Sequence, residues 1–99
     1  MRFSFSEFTL DTDSFELKRG RLLIALEKKN FELLRFLLEN RSTAVSKDDI
    51  LAAVWPSVTV TDASLSTAIG QIRKALGDDG RAQKFIRTIH GFGFRFVGE

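Results

Sequence analysis

The chain carries few side chains equipped for covalent or acid–base chemistry. His90 is its single histidine and it has no cysteine. Thiol catalysis, disulfides and a zinc ribbon are therefore excluded, and a reducing compartment is compatible. Ser66-Thr67 offers hydroxyls, but nothing in the sequence places a base beside them, and such nucleophiles need one. Asp78-Asp79-Gly80 supplies two carboxylates with no third ligand nearby, so it reads as a helix-terminating loop rather than a metal site. Gly91-Phe92-Gly93 has the glycines of a weak phosphate-loop pattern. No strand–loop–helix context follows it, and it reads as a hairpin turn. No enzymatic role, metal or cofactor is expected.

What remains is charge and where it sits. Lys and Arg number 15 against 13 Asp and Glu, a formal charge of +2. Before residue 73 there are nine basic and ten acidic residues; from Arg73 onward there are six basic residues and three acids. The late cations are Arg73, Lys74, Arg81, Lys84, Arg87 and Arg95. Such groups can displace counterions at phosphates. The same asymmetry also suits a solvated surface, and charge alone does not separate the two readings.

Those groups need elements to position them. Residues 3–10 alternate Phe3, Phe5, Phe8 and Leu10 with Ser and Glu, imperfectly. Phe15-Glu16-Leu17 and Leu22–Leu26 are short apolar segments, set apart by Asp11-Thr12-Asp13-Ser14 and Lys18-Arg19-Gly20-Arg21. The second break reads as a hairpin turn with Gly20 at positive φ, giving a small antiparallel sheet over residues 1–27. From Asn30, a plausible N-cap, the apolar period becomes helical: Phe31, Leu33, Leu34, Leu37 and Leu38. Ser46 with Asp49 resembles a capping box opening a second helix, which buries Ile50, Leu51 and Val54 and stops at Pro56, just after Trp55.

A third helix starts at Thr61 or Asp62 and ends at Gly77. Leu65, Ile69, Ile72 and Leu76 form its buried stripe. Its opposite face holds Ala63, Ser64, Thr67, Gly70, Gln71 and Lys74, with Ser66 and Arg73 on one flank. The three helices thus occupy 30–77, and a hairpin about Gly91-Phe92-Gly93 occupies 84–97. The expectation is one α+β domain over residues 1–99, a winged helix-turn-helix. In that geometry the third helix lies in the major groove, and the hairpin tip reaches adjacent phosphates or the minor groove.

Three stretches then match a known family: Val45-Ser46-Lys47-Asp48-Asp49-Ile50-Leu51 running to Val54-Trp55-Pro56; Leu65 to Gly77-Asp78-Asp79, with Ile72-Arg73-Lys74-Ala75-Leu76 at its centre; and Ile86-Arg87-Thr88-Ile89-His90-Gly91-Phe92-Gly93-Phe94-Arg95-Phe96. Over nearly its whole length the chain resembles the OmpR/PhoB-type winged-helix DNA-binding domain, the transcriptional regulatory protein C-terminal family. The resemblance implies a four-stranded N-terminal antiparallel sheet, three helices and a C-terminal hairpin wing. It also implies sequence-specific binding of double-stranded promoter DNA, usually as a head-to-tail pair on direct repeats. Val60–Leu65, Leu76–Arg81 and the ending at Gly98 look like the branch in which this domain precedes a larger effector region.

Residue by residue, the resemblance implies DNA contacts from Ser64, Thr67, Ala68, Gly70, Gln71, Arg73 and Lys74 in the third helix. In the wing it implies Thr88 and His90, with Arg87 among the wing cations; Phe94 matches an aromatic that is often Tyr. Trp55 and the Ser57–Thr59 loop match a region that contacts RNA polymerase in the family. Gly70 and Gln71 stand where the family often has arginine, Ala68 has no hydrogen-bonding group and Phe94 has no hydroxyl. Gln71 has the groups to read an adenine through N6 and N7 instead. Weaker or more dimer-dependent binding is expected than in an arginine-rich relative.

A cytoplasmic setting is expected, because the start has no signal-peptide-like apolar run and Leu22–Leu26 is far short of a membrane span. A second reading stays open: a winged helix repurposed for protein–protein contacts (self-association, polymerase or effector docking), suggested by the low basic content of Thr67–Gln71.

Overall fold

Alternating phenylalanine and leucine fold the first quarter of the chain into an antiparallel meander: β1 (Arg2–Phe5), β2 (Phe8–Asp11), β3 (Glu16–Arg19) and β4 (Leu22–Ile24), side by side in that order. The computed structural model describes residues 1–99. The alternating run 3–10 is two strands, not one. Ser6 takes a φ of 52° and the chain reverses, so that Phe5 pairs with Phe8. On one continuous strand these two rings, three residues apart, would face opposite sides. The reversal puts both in the core, stacked with centroids 5.4 Å apart. Gly20 takes a φ of 60° in the β3–β4 turn, as its place between two strands predicted.

Three helices follow: α1 (Lys28–Glu39), α2 (Lys47–Val54) and α3 (Asp62–Ala75). α1 starts before Asn30, and its N-cap is Glu27. Asn30 is a buried residue inside the helix, 5% exposed, with its carboxamide turned to α3. It looks like a cap in sequence because its true partner is 41 residues away. The other two starts follow local chemistry. The Asp49 N–H donates to Ser46 Oγ at 3.0 Å, and the Ser64 N–H donates to Thr61 Oγ1 at 3.1 Å. Gly77 ends α3 in the left-handed region, φ 72°. Leu65, Ile69, Ile72 and Leu76 are all buried; on α2, Ile50 and Val54 are buried and Leu51 half-buried.

The wing is β6 (Ile86–Ile89) and β7 (Gly93–Phe96), with a third strand the sequence did not announce. β5 (Val45–Ser46), directly before α2, lies along β7 to give the order β5-β7-β6. Two residues are too few to show a period. What admits them is Gly93: a Cβ there would collide with the Val45 carbonyl oxygen and lie 2.9 Å from Ser46 Cα. One apolar cluster joins sheet, helices and wing. At one end Phe5 and Phe8 meet Phe85, and Phe5 also meets Phe96, edge to face, with centroids 5.0–5.8 Å apart. Aromatic pairs of this kind add about 0.5–1.5 kcal/mol beyond area burial.

Two glycines should therefore respond oppositely to one added methyl group. Gly93→Ala should lower unfolding stability by at least about 2 kcal/mol by prising β5 from β7. Gly70→Ala, mid-helix with nothing within 4 Å of the new methyl, should raise it by about 0.5–1 kcal/mol. Urea unfolding of the two variants measures both.

Candidate nucleic-acid interface

α3 and the wing are tied together by a buried guanidinium. Arg73, in the last turn of α3, is only 9% exposed. Its Nε and Nη2 donate to the Ile86 carbonyl at 3.2 and 2.8 Å, and Nη2 also donates to Thr88 Oγ1 at 2.9 Å. Burial lowers its pKa, and the charges of Asp78 and Asp79 oppose that shift.

Asp78 closes the loop beneath it. Its Oδ1 accepts from the N–H groups of Asp79 (2.8 Å) and Lys84 (2.7 Å), and its Oδ2 from Phe85 (2.9 Å) and Ile86 (3.4 Å). Burial raises the carboxyl pKa, but these N–H groups together outweigh it and hold the group below the ordinary carboxylate range. Asp79 Oδ1 then accepts from Arg81 and Ala82, and Gln83 Oε1 accepts from the Thr88 N–H. The segment that reads in sequence as a polar loop is thus a ladder of side-chain-to-backbone bonds. Its one sequence signal is an aspartate directly after the helix-ending glycine, a residue type suited to gathering turn N–H groups.

The structure separates residues that the sequence reading grouped. Ser64, Thr67, Gly70, Gln71 and Lys74 are exposed on α3. Ala68 is 7% exposed and packs in the core, one helical step off the outer face. Arg73 is committed to the wing backbone and is not a free cation on the flank. Gln71 is exposed, yet its Oε1 accepts from Asn30 Nδ2 at 2.7 Å. A bidentate adenine contact needs that oxygen, so it would have to share or replace the bond to Asn30.

Thr88 faces Arg73. Arg87, its neighbour on the strand, points to the other side of the wing, directly opposite Arg95 across β6–β7. Phe94 is buried, 5% exposed, and its ring belongs to the core. His90 is exposed at the wing tip, with Phe92 beside it. Trp55 is half-buried against the core; Ser57 and Thr59 are exposed in the α2–α3 loop.

Between α3 and the wing runs a shallow groove of about 170 Å³ with Lys47, Ser66, Arg73, Thr88 and His90 along it and no carboxylate in its lining. Lys47 comes from the first residue of α2 and pairs with Asp62 at 3.4 Å, exposed to solvent. Sequence reasoning missed it because only the β5–β7 pairing brings the start of α2 to the wing. The groove offers an anion the hydroxyls of Ser66 and Thr88 and the ammonium of Lys47, which Asp62 also pairs.

The fold is shared with known proteins. The family described as "Transcriptional regulatory protein, C terminal" is matched by residues 20–96. The chain belongs to this family. The transcriptional regulator HilA of Salmonella typhimurium is 33% identical over 95 residues, which cover 96% of this chain and 17% of HilA. The response regulator DrrB of Thermotoga maritima, an OmpR/PhoB homologue, superposes with a TM-score of 0.88 at 34% identity over 98% of this chain and 44% of DrrB. The RstA DNA-binding domain of Klebsiella pneumoniae, solved in complex with the RstA box, superposes with a TM-score of 0.86 at 26% identity over 97% of this chain and 96% of that one. The chain spans under half the length of HilA and DrrB.

As a member of the transcriptional regulatory protein C-terminal family, the chain has the winged-helix fold of the OmpR/PhoB type. The protein-contact alternative is not favoured. No helix is long and apolar enough to cross a membrane.

The Asp78 carboxylate makes a pH-dependent prediction. Asp78→Asn should cost at least about 1.5–3 kcal/mol at pH 7, because the amide keeps one acceptor oxygen and sets an NH2 donor against two of the N–H groups that the carboxylate holds. Because the folded pKa lies below the unfolded one, this stability is full above the unfolded value of about 4 and disappears as pH falls through the folded value. Urea unfolding across pH should show the gap between wild type and variant closing in acid. A gap of constant size down to pH 2 would contradict the assignment.

Proposed function

We propose that the domain binds duplex DNA with α3 along the major groove and the wing tip on the adjacent backbone or minor groove, as the DNA-binding part of a transcription regulator. The observation that carries this reading is the carboxylate-free groove between α3 and the wing, bordered by the exposed face of α3 and held in shape by Arg73. The likeness to RstA supports it.

Each group has a part to play. Lys74 and Lys47 supply charge for phosphates, and the start of α3 with Ser64 offers a hydroxyl and a helix N-terminus. Thr88 accepts from Arg73, which leaves its own hydroxyl proton to donate to a phosphate oxygen. His90 at the tip reaches toward the minor groove. Arg73 positions the wing and contributes no phosphate contact of its own. Arg87, on the outer face of the wing, serves a neighbouring segment of backbone or a second copy.

The wider assignments rest on the family resemblance: a head-to-tail pair on direct repeats, polymerase contact through Trp55, Ser57 and Thr59, a cytoplasmic setting and membership of a longer regulator. No catalytic step is assigned to these residues.

Fluorescence anisotropy against salt tests the proposal. Log affinity should fall linearly with log salt, by about 0.9 for each phosphate neutralised. Lys74→Ala should weaken binding across sequences and reduce that slope by about one. Binding that is indifferent to salt would overturn the reading.

A further inference from the structure

Gly70 stands in the middle of α3 on its exposed face, and a Cβ built there meets nothing within 4 Å. Glycine weakens a helix interior relative to alanine, and no packing inside the free domain calls for it. A glycine at such a place leaves room for close approach by something outside the domain.

The same ridge carries Ala63 and Thr67, both exposed. The Thr67 hydroxyl donates to the Ala63 carbonyl at 3.0 Å, so its proton is already spent, and what it can offer a base is the γ-methyl and an acceptor oxygen. Two long side chains beside this ridge already have partners inside the domain. Gln71 is held by Asn30 and Arg73 by the wing. Lys74 supplies the ridge's one charge, at its C-terminal end.

Resting on the reading that α3 enters the major groove, we infer that this helix recognises thymine. The methyl groups of Ala63 and Thr67 pack on thymine 5-methyl groups, and Gly70 lets the helix come close enough for such short side chains to reach. Thymine alone among the four bases presents an apolar group in the major groove, and alanine and threonine methyls are its natural partners. The ligand class is therefore a duplex whose major groove presents closely spaced thymines to α3, in place of the guanines an arginine would select.

The test begins with sites selected from random duplexes by the 99-residue chain. Each thymine of the selected site is then replaced by deoxyuridine, which keeps every hydrogen-bonding group and removes only the methyl. Binding should weaken about fourfold for each methyl contacted. Thr67→Ser should become indifferent to one of those replacements, and Thr67→Val should stay sensitive. Gly70→Ala should bind the selected duplex more weakly although it folds more stably, a pairing that a purely structural glycine would not produce. Equal binding of thymine and deoxyuridine sites, or selection of a guanine-rich site under α3, overturns thymine recognition and leaves DNA binding standing. Failure to enrich any duplex at low salt overturns both readings.

Discussion

A guanidinium taken out of water keeps its charge and must find acceptors for its protons, and that constraint organises the functional half of this domain. Arg73 meets it by bonding to the backbone and side chain of β6, 13 and 15 residues further along. Leaving such a group unpaired would cost several kcal/mol, so the wing cannot swing away from α3 cheaply. Asp78 completes the arrangement from the other side, gathering the N–H groups of the chain that leads into the wing. Helix and hairpin thereby become one surface. An element that reads DNA gains from this, because a pre-arranged surface loses less conformational freedom on binding.

The distribution of charge follows. The excess of cations after residue 73 points to the right region of the molecule, but mostly through residues that do other work. Arg73 is spent internally. Arg87 and Arg95 face each other on the outer side of the wing, a juxtaposition of like charges that is unfavourable without an anion nearby. The groove instead draws Lys47 from the acid-balanced half of the chain, carried there by the two-residue strand that Gly93 admits. The domain thus builds a donor-lined groove with little net charge.

What the sequence made legible was local. Ser46 and Thr61 cap, Gly20 and Gly77 turn, and the apolar stripe of α3 reads directly, because each depends on neighbours within a few residues. What it hid was tertiary. Asn30 has the residue type of a cap, and only its partner on α3 keeps it inside a helix. Ser6 turns the chain without glycine, proline or asparagine to mark it, so the four-stranded sheet came from the family resemblance and not from the alternation. At the site, the order of helix, helix and hairpin gave the surface, and the number of each position did not tell which side chains were free to use. Arg73 and Ala68 lie within a helical step of the exposed ridge, and bonds to the wing or core packing take each out of it, while Gln71 stays exposed with its oxygen bonded to Asn30.

The most direct test of this account is a double-mutant cycle in DNA affinity between Arg73→Met and His90→Ala. If Arg73 holds the wing tip in place, removing His90 should matter less once the wing is loosened, with a coupling of about 0.5–3 kcal/mol between the two changes. Strictly additive losses, with the wing contributing as much without Arg73 as with it, would contradict the claim that this buried guanidinium makes helix and wing a single reading surface.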